Sequence, residues 1–178
     1  MNKKELRNKY KAIAKAITDK DKKSDIITDI VFDLVKDYKI IGLYASMDDE
    51  VKTDSLINRL LKNGNSVFLP KVEGSNLSFY QILSLDELNV TGKFQIREPN
   101  IINPLKSPLE AIIIPGICFD MNKYRIGHGM GYFDKFLSNK EVRKIGVCFD
   151  ELINDTFIPY NDYDVKMDII VTDKRVIK

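Results

Sequence analysis

Residues 40–70 read IIGLYASMDDEVKTDSLINRLLKNGNSVFLP. Ile40-Ile41-Gly42-Leu43-Tyr44 is a short apolar run of strand length. From Asp54 to Asn63 the spacing changes: Leu56, Ile57, Leu60 and Leu61 fall on one side of a helix, and Gly64 follows where a helix stops. Ser66 to Leu69 is strand-like again and is closed by Pro70. Strand, helix and strand at this spacing make a βαβ unit, which requires a parallel pair and a right-handed crossover.

Working outward, Leu6, Tyr10, Ile13 and Ile17 form one apolar stripe, so the first segment reads as a helix. Lys3 and Arg7, four apart, share a face beside that stripe. A second helix is expected from about Ser24, with Ile27, Ile30, Val31 and Leu34 buried and Ser24 or Asp25 as its cap. On the other side, Leu77 to Ile82 alternates weakly, like a half-exposed strand. Residues 92–108 carry Gly92, Pro99, Pro104 and Pro108 and read as an ordered loop. Ala111 to Ile114, Lys144 to Phe149 and Ile169 to Thr172 read as buried strands, and Tyr132 to Leu137 as a helix. No repeat or low-complexity tract interrupts the pattern. The expected fold is a single α/β domain over residues 1–178, a central and mainly parallel sheet flanked by helices. Its ligands belong at the C-terminal ends of the parallel strands.

Composition removes several classes. A chain of 178 residues buries about 70% of its unfolded surface and needs no covalent staple. Cys118 and Cys148 both sit in apolar runs, which favours reduced core thiols and a cytoplasmic location over a disulfide scaffold. With His128 as the one histidine, a His/Cys metal cluster has no donors. The longest apolar run, Ala111 to Phe119, spans nine residues, well short of the ~20 that cross a bilayer. No apolar signal core follows the Lys-rich start, so no membrane association is expected. The net charge of +2 conceals an uneven distribution: residues 1–23 hold nine Lys/Arg against three Asp/Glu, the remainder 19 against 23. Such a basic segment attracts phosphate, whether on nucleic acid, lipid or nucleotide.

Chemistry concentrates at Gly127-His128-Gly129-Met130-Gly131, with Arg125 before it and Tyr132-Phe133-Asp134 after it. Clustered glycines mark a backbone that bends sharply or approaches a ligand closely. Free backbone N–H groups at a helix start beside an arginine suit an anion, phosphate above all. Tyr132 stands where a third glycine of the dinucleotide fingerprint would fall, and no Walker-type G-x-x-x-x-G-K-[ST] occurs. Asp134 is placed either to hold Mg²⁺ beside phosphate or to favour the helix dipole. His128, inside a glycine loop, reads as a contact to phosphate or substrate, or as simply exposed. Two acidic stretches also follow or precede strands, Asp48-Asp49-Glu50 and Asp162 to Asp168. The first could bind an amine or guanidine-like group and the second could supply another metal carboxylate, although solvated loops look the same. No G-x-S-x-G elbow supports a serine nucleophile.

Taken together these pieces resemble the 5-formyltetrahydrofolate cyclo-ligase family, also called methenyltetrahydrofolate synthetases. Lys3-Lys4-Glu5-Leu6-Arg7 is similar to the family's K-x-x-L-R, Glu50-Val51-Lys52-Thr53 to its E-[VI]-x-T, and Leu69-Pro70-Lys71-Val72 to its L-P-[KR]-V. Ile96-Arg97-Glu98-Pro99 resembles I-x-E-P, and Pro115 to Asp120 resembles P-G-x-x-F-D. Arg125 to Asp134 resembles R-[LI]-G-x-G-x-G-Y-[YF]-D, the most specific piece, and Asp164 to Asp173 the closing D-x-x-x-D-x-I-[VI]-T-[DE]. The motifs cover nearly the whole chain in order. The sequence departs at Gln95 and Lys123, where the family often has glycine, at Leu152 in place of a frequent Gln, and at His128 and Met130 within the loop.

The resemblance implies an enzyme that uses ATP and Mg²⁺ to close 5-formyltetrahydrofolate, with or without a polyglutamate tail, into 5,10-methenyltetrahydrofolate. ADP and phosphate are released, and the route runs through phosphorylation of the formyl oxygen. It implies an ATP site of Lys3, Lys4, Glu5, Leu6 and Arg7 together with Arg125, Ile126, Gly127, His128, Gly129, Met130, Gly131, Tyr132 and Phe133. Arg125 and Tyr132 would act on the reacting groups. Glu50 and the segment His128 to Tyr132 would bind folate, and Asp134 and Asp164 would hold the metal. The implied fold is similar to the ribose-phosphate isomerase and CoA-transferase group, and the expected protein is a monomer that binds no nucleic acid. Two rival readings are a basic nucleic-acid-binding module, with Tyr10 as a stacking residue, and a nucleotide-binding relative without cyclisation activity. The first leaves the glycine loop and Asp134 without a role.

Overall fold

In the computed structural model, which describes residues 1–92 and 95–178, the chain begins with two helices, α1 (Lys3–Ala16) and α2 (Lys20–Val35). Next come β1 (Ile40–Gly42), α3 (Asp54–Asn63), β2 (Ser66–Glu73) and β3 (Asn76–Ile82). A ribbon of β4 (Asn89–Thr91) and β5 (Ile96–Glu98) leads to β6 (Ala111–Pro115), β7 (Cys118–Asp120) and β8 (Arg125–Ile126). The chain ends with α4 (Tyr132–Leu137), β9 (Arg143–Val147), β10 (Ile153–Asn154), β11 (Ile169–Val171) and β12 (Val176–Ile177).

Seven strands form the central sheet in the order β12-β11-β9-β6-β1-β2-β3. The inner five run parallel and the two edge strands antiparallel, so the mixed α/β architecture with a mainly parallel sheet is the one expected. The expected βαβ unit pairs Ile40 with Ser66 and Gly42 with Phe68. Ile112, Ile113 and Ile114 of the central β6 are all fully buried, as a strand covered on both faces requires. A second sheet of β10, β7 and β8 lies beside the first, and α1 packs against β7 and β8. Phe119 of β7 joins the two sheets. Its ring lies so close to Gly146 of β9 that an added Cβ there would meet it at 2.5 Å. Cys118 and Cys148 are buried free thiols, and burial pushes Cys118 up to about 12. No helix among the described residues is long and apolar enough to cross a membrane.

Three expectations about elements need correction. The second helix starts at Lys20, a turn before Ser24, because Lys20 and Lys23 reach the carboxylates of Asp49 and Glu151. Ser24 is buried inside that helix and accepts the Lys52 N–H instead of capping. Pro70 does not stop β2, which runs on to Glu73. Beyond Phe68, β2 has left its pairing with β1 and pairs with β3 alone, so the missing proline N–H disrupts no second ladder. Finally, Ile96–Glu98 within the segment expected as a loop is a strand pairing with Asn89–Thr91, while residues 93–94 of that segment lie outside the described residues.

Candidate active site

The site gathers at the C-terminal ends of β1, β6 and β9, where Tyr44, Glu50, Pro115, Gly116, Cys148 and Phe149 line a crevice. Open parallel sheets bind ligands at this end. The glycine loop lies at its rim. Gly129 and Gly131 have φ of +104° and +66°, values that a side chain would strain, and Gly131 leads directly into α4.

Arg125 is held by β8, whose ladder pairs it with Phe119. Its guanidinium is buried, with its carbon 5.6 Å from the centre of the Phe133 ring. Nη2 comes within 3.0 Å of Asp134 Oδ2, yet the carboxylate lies out of line with the N–H bonds. Neither Nε nor Nη2 therefore has a hydrogen-bond acceptor. Burial lowers the guanidinium's proton affinity, and the charges of Asp134 and Asp164 only partly restore it. A buried arginine with unfilled donors is costly unless an anion completes it.

The expected metal carboxylates are brought together. Asp134 Oδ1 accepts the N–H of Val165 at 3.0 Å, tying α4 to the residue after Asp164. Asp164 Oδ2 accepts from the Asn161 N–H and forms an ion pair with Lys3. Arg7 donates through Nε to the Gly127 carbonyl at 2.9 Å, so α1 meets the loop as the shared face of Lys3 and Arg7 suggests. Among the described residues no group of three or more His, Cys, Asp or Glu could alone hold a metal ion.

Other expected positions take different places. Glu5 closes a capping box with Asn2, and Lys4 is exposed, donating its backbone N–H to Asn2. Leu6 and Ile126 bury their side chains in the core. Tyr132 and Phe133 are half-buried, and Met130 is exposed. Glu50 reaches the loop: its Oε1 lies 3.5 Å from Nε2 of the half-exposed His128, while Oε2 accepts the Met47 N–H. Its neighbour Asp49 also lines the crevice but is paired with Lys20, and Asp48 is exposed.

Sequence reasoning missed two supports. Arg97 donates twice to Asp54, at 2.9 and 2.8 Å, and once to the carbonyl of Ser46, which steadies the segment carrying Glu50. Asp120, 1% exposed, accepts the backbone N–H groups of Tyr124 and Ile158. A lone acid at the end of the apolar Cys118-Phe119 run was the signal for the latter.

Residues 1–173 match the 5-formyltetrahydrofolate cyclo-ligase family. The chain belongs to that family. It is similar to a Schizosaccharomyces pombe protein named "Probable 5-formyltetrahydrofolate cyclo-ligase", 36% identical over 158 residues, 79% of this chain and 78% of the relative. It is 30% identical over 147 residues to the 5-formyltetrahydrofolate cyclo-ligase of Escherichia coli, 76% of this chain and 79% of that one. The solved structure of Aquifex aeolicus 5,10-methenyltetrahydrofolate synthetase superposes with a TM-score of 0.86 at 30% identity, covering 100% of this chain and 93% of that one. Two departures from the family's usual glycines have a visible cost here. Gln95 and Lys123 both adopt left-handed backbone, with φ of +53° and +69°. An L side chain is strained there and glycine is not.

Proposed function

We propose that this cyclo-ligase family member converts 5-formyltetrahydrofolate to 5,10-methenyltetrahydrofolate, consuming ATP with Mg²⁺ and releasing ADP and phosphate. The observation that carries the reading is the buried Arg125 guanidinium, whose Nε and Nη2 lack acceptors beside a glycine loop. A phosphate oxygen is the acceptor chemistry such a cradle fits. Asp134 and Asp164 suit Mg²⁺, which takes one or two carboxylates and completes its octahedron with phosphate oxygens and water. Bound there, the ion would neutralise charge on the transferring phosphoryl group.

In this mechanism the formyl oxygen of the folate takes the γ-phosphoryl group, because an amide oxygen is a poor leaving group and a phosphate is a good one. The neighbouring amine nitrogen of the same substrate then attacks the formyl carbon and releases its proton to solvent, the C–O bond breaks, and phosphate departs with its electron pair. The protein's task is positioning and charge neutralisation. Arg125, Lys3, Arg7 and the loop N–H groups hold the phosphates, and Tyr132 borders both substrates. Glu50 offers its carboxylate to the amino-pyrimidinone edge of the pterin, with His128 across the crevice at 3.5 Å. No protein nucleophile is needed, and Cys118, buried with its thiol pushed up to about 12, would be a poor one.

The reading extends to a single functional domain over residues 1–178 acting as a cytoplasmic monomer, with a fold related to the ribose-phosphate isomerase and CoA-transferase group. Substrates with and without a polyglutamate tail both fall within it. The test mixes purified protein with 5-formyltetrahydrofolate and Mg-ATP and follows the absorbance of methenyltetrahydrofolate. Absorbance that grows only when all three components are present supports the reading. A folded protein giving no product would reject it in favour of a relative that binds nucleotide without cyclisation.

A further inference from the structure

Glu50 lines the crevice, and the crevice is nearly shut. The space open to the centre of a water molecule is about 10 Å³, enough for roughly one water, where small-molecule sites commonly offer roughly 300–1,000 Å³. A two-ring pterin enters only if a wall gives way. The glycine loop is the wall with room to move. His128 stands between Gly127 and Gly129, and Gly129 holds a left-handed backbone, φ +104°, that glycine adopts without strain. A side-chain contact ties this loop to the Glu50 segment: Glu50 Oε1 lies 3.5 Å from His128 Nε2. Oε2 is taken by the Met47 N–H, so Oε1 is the oxygen left for the pterin edge. His128 and the substrate therefore compete for it.

That contact is an ion pair only while the imidazole is protonated, and histidine is the side chain that ordinarily changes charge between pH 5 and 8. The other charged groups around it differ in this respect. Arg7 on α1 has its guanidinium 3.4 Å from where a Cβ on Gly129 would stand, and Arg125 on β8 lies 2.9 Å from the same point on Gly127. Asp134 on α4 faces Arg125, and Asp49 beside Glu50 is held by Lys20. Guanidiniums, lysines and carboxylates ordinarily keep their charge from pH 6 to 8. We propose that His128, once protonated, clasps Glu50 and holds the folate crevice shut, so that 5-formyltetrahydrofolate binds with release of a proton and more tightly as pH rises. The proposal rests on the folate reading of Glu50 and makes His128 a positioning residue that acts through that carboxylate.

The test is calorimetric titration of 5-formyltetrahydrofolate into wild type and His128→Gln from pH 6 to 8. Each titration is run in two buffers of different ionisation enthalpy, so that protons released on binding are counted, and Mg-ADP is the control ligand. The pair is partly exposed, with the His128 side chain at 53% and that of Glu50 at 14%. In wild type, folate affinity is therefore expected to rise about two- to fivefold across this range, the scale of one such ion pair, with a fraction of a proton released near pH 6.5. In His128→Gln the slope and the released proton are both expected to vanish, while the pH dependence of Mg-ADP binding matches wild type. A wild-type folate affinity that ignores pH, one that rises toward acid, or a slope kept in His128→Gln overturns the clasp and leaves the folate reading intact. So does a change confined to Mg-ADP, which would turn His128 toward phosphate. A wild type that binds no 5-formyltetrahydrofolate at any pH overturns the folate reading and the clasp with it.

Discussion

Of the arginines that sit beside an aspartate, Arg97 and Arg125 differ in how completely their donors are filled. Arg97, on the β4–β5 ribbon, donates to both oxygens of Asp54 and to the Ser46 carbonyl. Arg125, on the small sheet beside the glycine loop, lies 3.0 Å from Asp134 and still leaves Nε and Nη2 without acceptors. The first arrangement is complete and supports the fold. The second is complete only with another anion, so it marks where the fold has been left open for a ligand. The motif containing each arginine could not distinguish them, because hydrogen-bond satisfaction is a property of the folded site.

The largest expected effect breaks this contrast directly. Arg125→Met should lower turnover by roughly a hundredfold or more in a protein that still folds. Arg97→Met should do the reverse, costing about 1 kcal/mol in chemical denaturation, because the bidentate pair is partly exposed, with a smaller effect on turnover. If both variants lose stability equally and activity equally, the contrast has no functional content.

Asp134→Asn sharpens the open side of the comparison. It should fold normally, since the amide oxygen can still accept the Val165 N–H, yet turn over roughly a hundredfold more slowly at every Mg²⁺ concentration. Wild-type rates across a Mg²⁺ titration would remove Asp134 from the metal site.

Glu50→Gln comes next, with folate affinity expected to fall roughly ten- to a hundredfold and ATP affinity unchanged. Asp48→Asn and Asp49→Asn should be nearly silent, because only Glu50 reaches His128. Comparable losses in all three would mean that general acidity of the loop is what counts.

The smallest effect belongs to the closed side. Burial pulls the Glu98 carboxyl up, but bonds from Lys71, Thr91 and the Val72 N–H outweigh it and hold the group below its ordinary value. A depressed carboxyl contributes stability that is full above the unfolded value, about 4.3, and lost as pH falls through the folded value. Glu98→Gln should therefore cost about 1–2 kcal/mol at pH 7, and the gap should narrow as pH falls below the ordinary glutamate value. A gap independent of pH would mean that shape, not charge, holds the ribbon.

The parallel core was legible in the sequence because its strands are unbroken apolar runs, as at Ala111 to Ile114, and the βαβ spacing of residues 40–70 leaves few alternatives. The small sheet was not, because β8 is two residues long and Arg125-Ile126 reads first as part of the loop motif. Pro70 and the charged turn at Lys20 misled for a common reason. Local rules gave way to tertiary partners: β3 for Pro70, Asp49 and Glu151 for the lysines. Among candidate site residues, the loop and Asp134 were visible because chemistry clusters along the chain there. Pairings such as Lys3 with Asp164, 161 positions apart, could be read only through the resemblance or the fold.

If the unfilled donors of Arg125 mark the phosphate position of a nucleotide, nucleotide affinity must depend on them. Calorimetric titration of Mg-ADP into wild type and Arg125→Met, with melting temperatures recorded alongside, tests it most directly. Wild type should bind saturably and Arg125→Met at least tenfold more weakly, with the melting temperatures showing both proteins folded at the temperature of the titration. Equal affinity in two folded proteins would contradict that dependence.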